Sequence, residues 1–368
     1  MEELKKLYPF KFLPIAETFG WGGRRLAEKY AKPFVECDDQ GNEKLLSGDR
    51  PVAESHEIAD LGYRDSQIHE GWLAGNTISD VMDMYVDRVV GEEVFKYTGR
   101  QFPVSVKFVD AAGRMPLLVH PDDVIAGERY DFLGKAKMWY VVDADPGAKL
   151  YIGFANDADV TDFYDRCASG DLDGILNVVS PKAGDFFMIE PGTVNAASGG
   201  VLLLEISEAS PMDFCLSTWG RESEDDGVDA SLTLVEALDF INYGKYSASP
   251  VPSQDPGSQT RKLVQRNEFT VSEISLKDPE HIFNDEAGSF SIYTCVSGSA
   301  TIQVPEGSGA DNYEMKAGET VLVPAEIDDY FLVPRQAGTV LVETIMEERF
   351  DTDLYIDPSA DEKLPEDE

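Results

Sequence analysis

The sequence predicts an all-β-dominated chain of two β-barrels, each closing a double sheet, with a helical insertion region. Three observations predict it. Residues Arg261 to Met346 read as strand and turn throughout, with SIYTCVSGSATIQV as a hairpin followed by KAGETVLVPAEIDDYFLV. GETVLVPA spaces Gly318 and Pro324 as a small-barrel turn does, and Gly184 to Gly192 repeats the logic earlier in the chain. Two intervening stretches switch from a strand period to a 3.6-residue period, which sets the helical insertions apart.

Taken in order, residues 1–60 mix short β-like runs with turns. FGWGGRRL, Phe19 to Leu26, has the wrong glycine spacing for a phosphate loop and reads as a tight turn. ESHEIAD, Glu54 to Asp60, alternates as a half-buried strand would. From Asn76 to Gly99, Ile78, Val81, Met82, Tyr85, Val89 and Val90 form one helical face, capped by Thr77 or Ser79. FPVSVKFVDA and MPLLVH return to strand. Asp159 to Val179 reads as a second helical segment, with Val160, Phe163, Tyr164 and Cys167 on one face. AGDFFMIEPGTVNAASGGVLLLEISEAS gives strand, Pro-Gly turn and strand, with a second turn at Gly199-Gly200. The expected domains are therefore an N-terminal barrel over 1–246 with helices at about 77–99 and 159–179, and a linker or surface loop at 247–260. A C-terminal barrel over 261–350 and an acidic tail at 351–368 follow.

At 368 residues and 42% hydrophobic content the chain is long enough for two or three compact units. A net charge of −38, with 69 acidic against 31 basic residues, argues against nucleic acid and anionic membrane surfaces as partners. Cys37, Cys167, Cys215 and Cys295 show no CxxC spacing and are expected as free thiols in a reducing compartment. No apolar run approaches the ~20 residues of a membrane span. MEELKKLYPF lacks the apolar core of a signal peptide, so a cytoplasmic location is expected.

Chemistry concentrates between Lys107 and Trp139. KFVDA leads to a lone His120 followed by Pro-Asp-Asp, then to a Gly134-Lys135 turn and the aromatic strand KMWY. By residue chemistry alone this is half a metal site, one imidazole with acidic neighbours. The stretch resembles the signature of the class I mannose-6-phosphate isomerases, KFLDA…LSVQVHPDD…GKTEMWY, and the likeness runs from Tyr8 to about Met346. The resemblance implies cupin-like (jelly-roll) barrels and interconversion of mannose 6-phosphate and fructose 6-phosphate with zinc. It also implies zinc ligands at positions held here by Leu118, His120, Lys137 and Asn195, of which only His120 keeps the family's residue. Leu118 has no donor atom, Lys137 brings a cation that repels a divalent ion, and Asn195 offers only a carbonyl oxygen.

Beside the family's catalytic arginine segment this chain reads SPMDFCLSTWGR. Ser210 matches, while Pro211, Phe214 and Cys215 stand where the family has Asp, Tyr and Arg. Arg221 falls at a second family arginine, and Lys135 at a lysine close to substrate. Lys135 and Arg221 are therefore the candidate catalytic residues, and His120, Lys135, Lys137, Asn195 and Arg221 the candidate binding set. His56, where the family has Trp, reads as a packing residue, and Asp122 and Asp123 as turn residues. Lys137 is expected to occupy the ion's place, pair with a carboxylate and hydrogen-bond Asn195.

The expectation is a family member with no intact zinc site and no cofactor, with little or no isomerase activity. Zinc is the cofactor if the family activity is retained. The partner is a small sugar or sugar phosphate. Two alternatives stand beside it: an active isomerase with a metal on His120 and unaligned carboxylates or with a lysine base, and a structural or interaction protein.

Overall fold

The computed structural model describes residues 5–37, 43–45, 50–221, 230–249, 251–252, 257–283, 288–306 and 309–347. The chain divides into two compact units, each a pair of β-sheets. The expected tail at 351–368 lies outside the described residues, as do 250 and 253–256 of the expected linker.

The first unit comprises Leu13–Ser66 and Val104–Pro252. Its larger sheet runs Phe186–Ile189, Lys137–Ala144, Val201–Glu208, Val104–Ala111, Glu54–Ile58, Ile15–Glu17, Val35–Cys37 and Glu43–Leu45. The facing sheet runs Phe214–Ser217, Leu117–Val119, Asn195–Ser198, Lys149–Phe154 and Leu176–Val179. All eight residues of the central strand Val104–Ala111 are buried, as expected of a strand covered on both faces. Leu117, Val119, Trp139, Leu150, Ile152, Ala196 and Leu203 belong to one apolar core. The WGG turn runs against this unit's strand edge. A side chain at Gly22 would meet the Ala53 backbone at 2.6 Å, so only glycine fits there.

The second unit comprises Met1–Phe12, Gln67–Pro103 and Ser253–Glu368. One sheet orders Thr260–Gln265, Thr270–Leu276, Thr339–Ile345, Ser291–Ser297 and Thr320–Val323. The other orders Glu280–Phe283, Asp329–Pro334, Ser299–Glu306 and Gly309–Lys316. SIYTCVSGSATIQV is therefore not a hairpin. Its halves, Ser291–Ser297 and Ser299–Glu306, lie in different sheets and the chain turns the corner at Gly298. Gly298 has φ +79°, and a Cβ there would meet Thr339 at 2.6 Å, so the corner needs glycine.

The helical stretch at 77–99 consists of Ile78–Val90 and Glu92–Thr98, separated by Gly91. Thr77, rather than Ser79, caps the first helix through a reciprocal box with Asp80. Ile78, Val81, Met82, Val89 and Val90 are buried, while Tyr85 departs from helical geometry at a kink. This stretch belongs to the unit that contains Ser253–Glu368, not to the N-terminal barrel. Val89 and Arg88 carbonyls accept from Ala325 and Glu326, Arg88 pairs with Glu326, and Phe102 packs on Phe290. The second helical segment is shorter than 159–179. It runs Val160–Ser169, capped by Asp159 and ended by left-handed Gly170, and Leu176–Val179 is a strand.

Candidate functional site

The candidate site lies between the two sheets of the first unit, and strand register builds it. Antiparallel pairing places Lys107 beside both Glu205 and His56, and Glu54 beside Glu17. Lys137 and Trp139 belong to the strand on the other side of Glu205, and Trp139 is its register partner. Side chains two residues apart share a face, so Lys137, Glu205, Lys107 and Glu54 line up across four strands with alternating sign, and Glu17 extends the row onto a fifth.

The contacts follow that order. Lys137 Nζ lies 3.1 Å from Glu205 Oε2, and Trp139 Nε1 donates to the same oxygen at 2.6 Å. Lys107 Nζ lies 3.4 Å from Glu205 Oε1 and 2.8 Å from Glu54 Oε2. His56 Nε2 stands 3.5 Å from Glu54 and 3.7 Å from Glu17, and Arg64 pairs with Glu17. The facing elements supply a second group. Asp213 accepts from Lys135 Nζ at 3.0 and 2.9 Å and meets His120 Nδ1 at 2.7 Å. Four carboxylates, Glu17, Glu54, Glu205 and Asp213, thus meet four cations, Arg64, Lys107, Lys135 and Lys137.

Burial sets the electrostatics. Burial alone would raise the Glu54 carboxyl, but Lys107 and His56 hold it down at about 2. Glu205 and Asp213 are lowered against the same burial penalty, Glu205 by Lys107 and Lys137, Asp213 by Lys135 and His120. Burial pulls the Lys137 ammonium below the ordinary lysine value despite Glu205. Burial and then the Lys137 charge lower His120 to about 4, against the pull of Asp213, so its imidazole is neutral at pH 7.

These shifts fix the acid limb of stability. Glu54, Glu205 and Asp213 have folded values below their unfolded ones, so their stabilisation is complete above pH ~4.5 and lost as pH falls through the folded values. Glu54 alone is worth on the order of 3 kcal/mol. His120 adds a loss from pH ~6.5 down to about 4, because the unfolded imidazole takes a proton that the folded one refuses. Asp110, raised to about 6 by burial, acts in the opposite sense between about 4 and 6. Thermal melts followed by circular dichroism should therefore show a shallow fall to pH ~4.5 and a steep one below it. A flat profile to pH 3 would contradict the ion network.

A cavity of about 340 Å³ opens onto the network. Glu17, Glu54, His56, Lys107, Glu205 and Asp213 reach its wall, and Phe19, Trp21, Tyr63 and Met115 give it an apolar side. Among the sequence candidates, Lys135, Leu118 and Cys215 line it. His120 and Lys137, members of the network, and Asn195 beside it are buried without forming the wall. Leu118, Asn195 and Cys215 are neighbours across the smaller sheet, since Leu118 pairs with both.

Asn195 departs from expectation. Its amide nitrogen donates to the Leu118 and Thr193 carbonyls and stands 3.4 Å from His120 Nε2, while its Oδ1 takes no hydrogen bond. The Lys137 ammonium is held by Glu205 instead. Arg221 is not on the cavity wall; its guanidinium donates to the Thr218 and Arg114 carbonyls. His56, read as packing, is part of the network. Asp122 caps the helix Asp123–Tyr130, and Asp123 accepts from Gly134 N, which ties the Gly-Lys turn to that helix. Sequence reasoning missed Glu17, Glu54, Lys107, Glu205 and Asp213. For Lys107 and Glu205 the signal was a charge inside a mostly apolar strand, in VSVKFVDA and VLLLEISE.

No family model matches the chain. It is 27% identical over 333 residues, 88% of this chain and 95% of the relative, to the Bacillus subtilis protein named probable mannose-6-phosphate isomerase GmuF. Its fold matches the crystal structure of the mannose 6-phosphate isomerase from Bacillus subtilis with a TM-score of 0.77 at 22% identity, covering 92% of this chain and 99% of that one. It also matches a mannose 6-phosphate isomerase bound with zinc and yttrium, with a TM-score of 0.67 at 15% identity, covering 93% and 100%. No helix among the described residues is long and apolar enough to cross a membrane. The chain is a homologue of the mannose-6-phosphate isomerases and has their cupin-type, strand-dominated fold.

Proposed function

We propose that this homologue is a sugar-binding protein of carbohydrate metabolism that lacks the zinc-dependent isomerase chemistry. One observation carries the reading: the Lys137 ammonium, paired to Glu205, stands in the ligand set that the resemblance assigns to zinc. The four residues do not fit that ion. Leu118 offers no donor, Asn195 turns its amide nitrogen toward His120 Nε2, and a buried cation opposes a divalent charge at short range. Aldose–ketose isomerisation needs a base to move a proton between adjacent carbons and an electrophile to hold the enediol oxygens. Asp213 is ionised beside the cavity, but Lys135 and His120 already hold it.

A second reading has its own support. Glu17, Glu54 and His56 bring three donor atoms within 4.8 Å of one another, so a rearranged metal site and an active isomerase remain the alternative. Against it, Arg64 and Lys107 already neutralise the two carboxylates. The two readings separate in an assay of mannose 6-phosphate conversion to fructose 6-phosphate with added zinc, cobalt or manganese. The expected turnover is at least about a thousandfold below the 1–10³ s⁻¹ common among enzymes. Metal-stimulated turnover in the usual range would overturn the proposal.

A further inference from the structure

We infer that the cavity selects an uncharged sugar over its 6-phosphate. This rests on the sugar-binding reading above and adds the ligand's charge class. Two independent observations carry it. The first is charge balance. Each cation at the cavity or beside it is held by a carboxylate: Arg64 by Glu17, Lys107 by Glu54, Lys135 by Asp213 and Lys137 by Glu205. A phosphate dianion entering here must either draw a cation off its partner or settle beside a carboxylate. Both oppose binding in a site of low dielectric.

The second is the set of buried polar atoms that take no hydrogen bond. Both ring nitrogens of His56 and Thr218 Oγ1 are in this condition, and both residues line the cavity. His56 is 3% exposed, so solvent does not readily serve it. A group that both donates and accepts can serve either imidazole nitrogen, and the threonine hydroxyl takes either. Sugar hydroxyls donate and accept and fit this set. A phosphate dianion only accepts, so it brings no donor to a wall that already carries Glu17, Glu54, Glu205 and Asp213. The stacked Phe19 and Trp21 rings, 5.7 Å apart, supply the flat apolar surface that a sugar ring's C–H face covers.

The test is calorimetric titration of the full chain with D-mannose, D-fructose and the two 6-phosphates at low and high salt. A free sugar should bind at least tenfold more tightly than its 6-phosphate, with an affinity that salt does not change. Glu17→Gln, with its fold checked by thermal melt, should shift the ratio about tenfold toward the 6-phosphate by leaving Arg64 unpaired. If the wild-type protein binds a 6-phosphate as tightly as the free sugar or tighter, this inference falls and the sugar-binding reading stands. If none of the four ligands binds, both fall.

Discussion

Glu205→Ala is expected to destabilise the first unit by about 3–5 kcal/mol, lowering its melting temperature by roughly 10 °C. Glu205 is 2% exposed, holds Lys137 and Lys107, and accepts from Trp139 Nε1. The alanine variant leaves two buried ammonium groups short of a counter-charge and an indole N–H without an acceptor. Most of the cost is the penalty on those orphaned groups. Lys137→Met combined with Glu205→Gln should therefore recover a substantial part of it, since the glutamine still accepts from Trp139 and only Lys107 loses an ion pair, with Glu54 remaining. Denaturant unfolding of the single and double variants checks this. Equal losses in both would mean that Lys137 and Glu205 are not energetically coupled.

The second large effect is a gain of zinc affinity that needs three substitutions together. Lys137→Glu alone should not bind zinc tightly. It replaces the cation by a carboxylate facing Glu205, while Leu118 still lacks a donor and Asn195 still presents its amide to His120. Adding Leu118→Gln and Asn195→His supplies the missing donors on strands that already pair at those two positions. The triple variant should bind zinc at least roughly a thousandfold more tightly than either the wild type or Lys137→Glu. Competition with a zinc-sensitive chelating dye gives the comparison. Tight binding by Lys137→Glu alone would show that the lysine was the sole obstacle.

The two-barrel architecture was legible because glycine-punctuated strand runs recur in both halves, and the helix at Ile78–Val90 because its apolar positions keep a helical period. What failed was topology. SIYTCVSGSATIQV has the pattern of a hairpin, yet Gly298 turns the chain from one sheet into the other, and local sequence does not distinguish the two. His120 and Lys137 were visible because they fall within one short motif. Glu17, Glu54, Lys107 and Glu205 were not, because sheet register joins positions almost the whole unit apart in sequence. Glu205, in the apolar run of VLLLEISE, announces a buried charge but does not name its partner. Arg221 failed for the opposite reason: the motif position matches, and the side chain serves backbone carbonyls.

The central claim is that a lysine-based ion network takes the place of a metal in this barrel. The most direct measurement is the metal content of the protein purified from zinc-supplemented culture, by plasma mass spectrometry after exhaustive dialysis. The account predicts far less than one zinc per chain, and no zinc uptake on titration at neutral pH. One zinc per chain that survives dialysis would contradict it and return the barrel to metal chemistry.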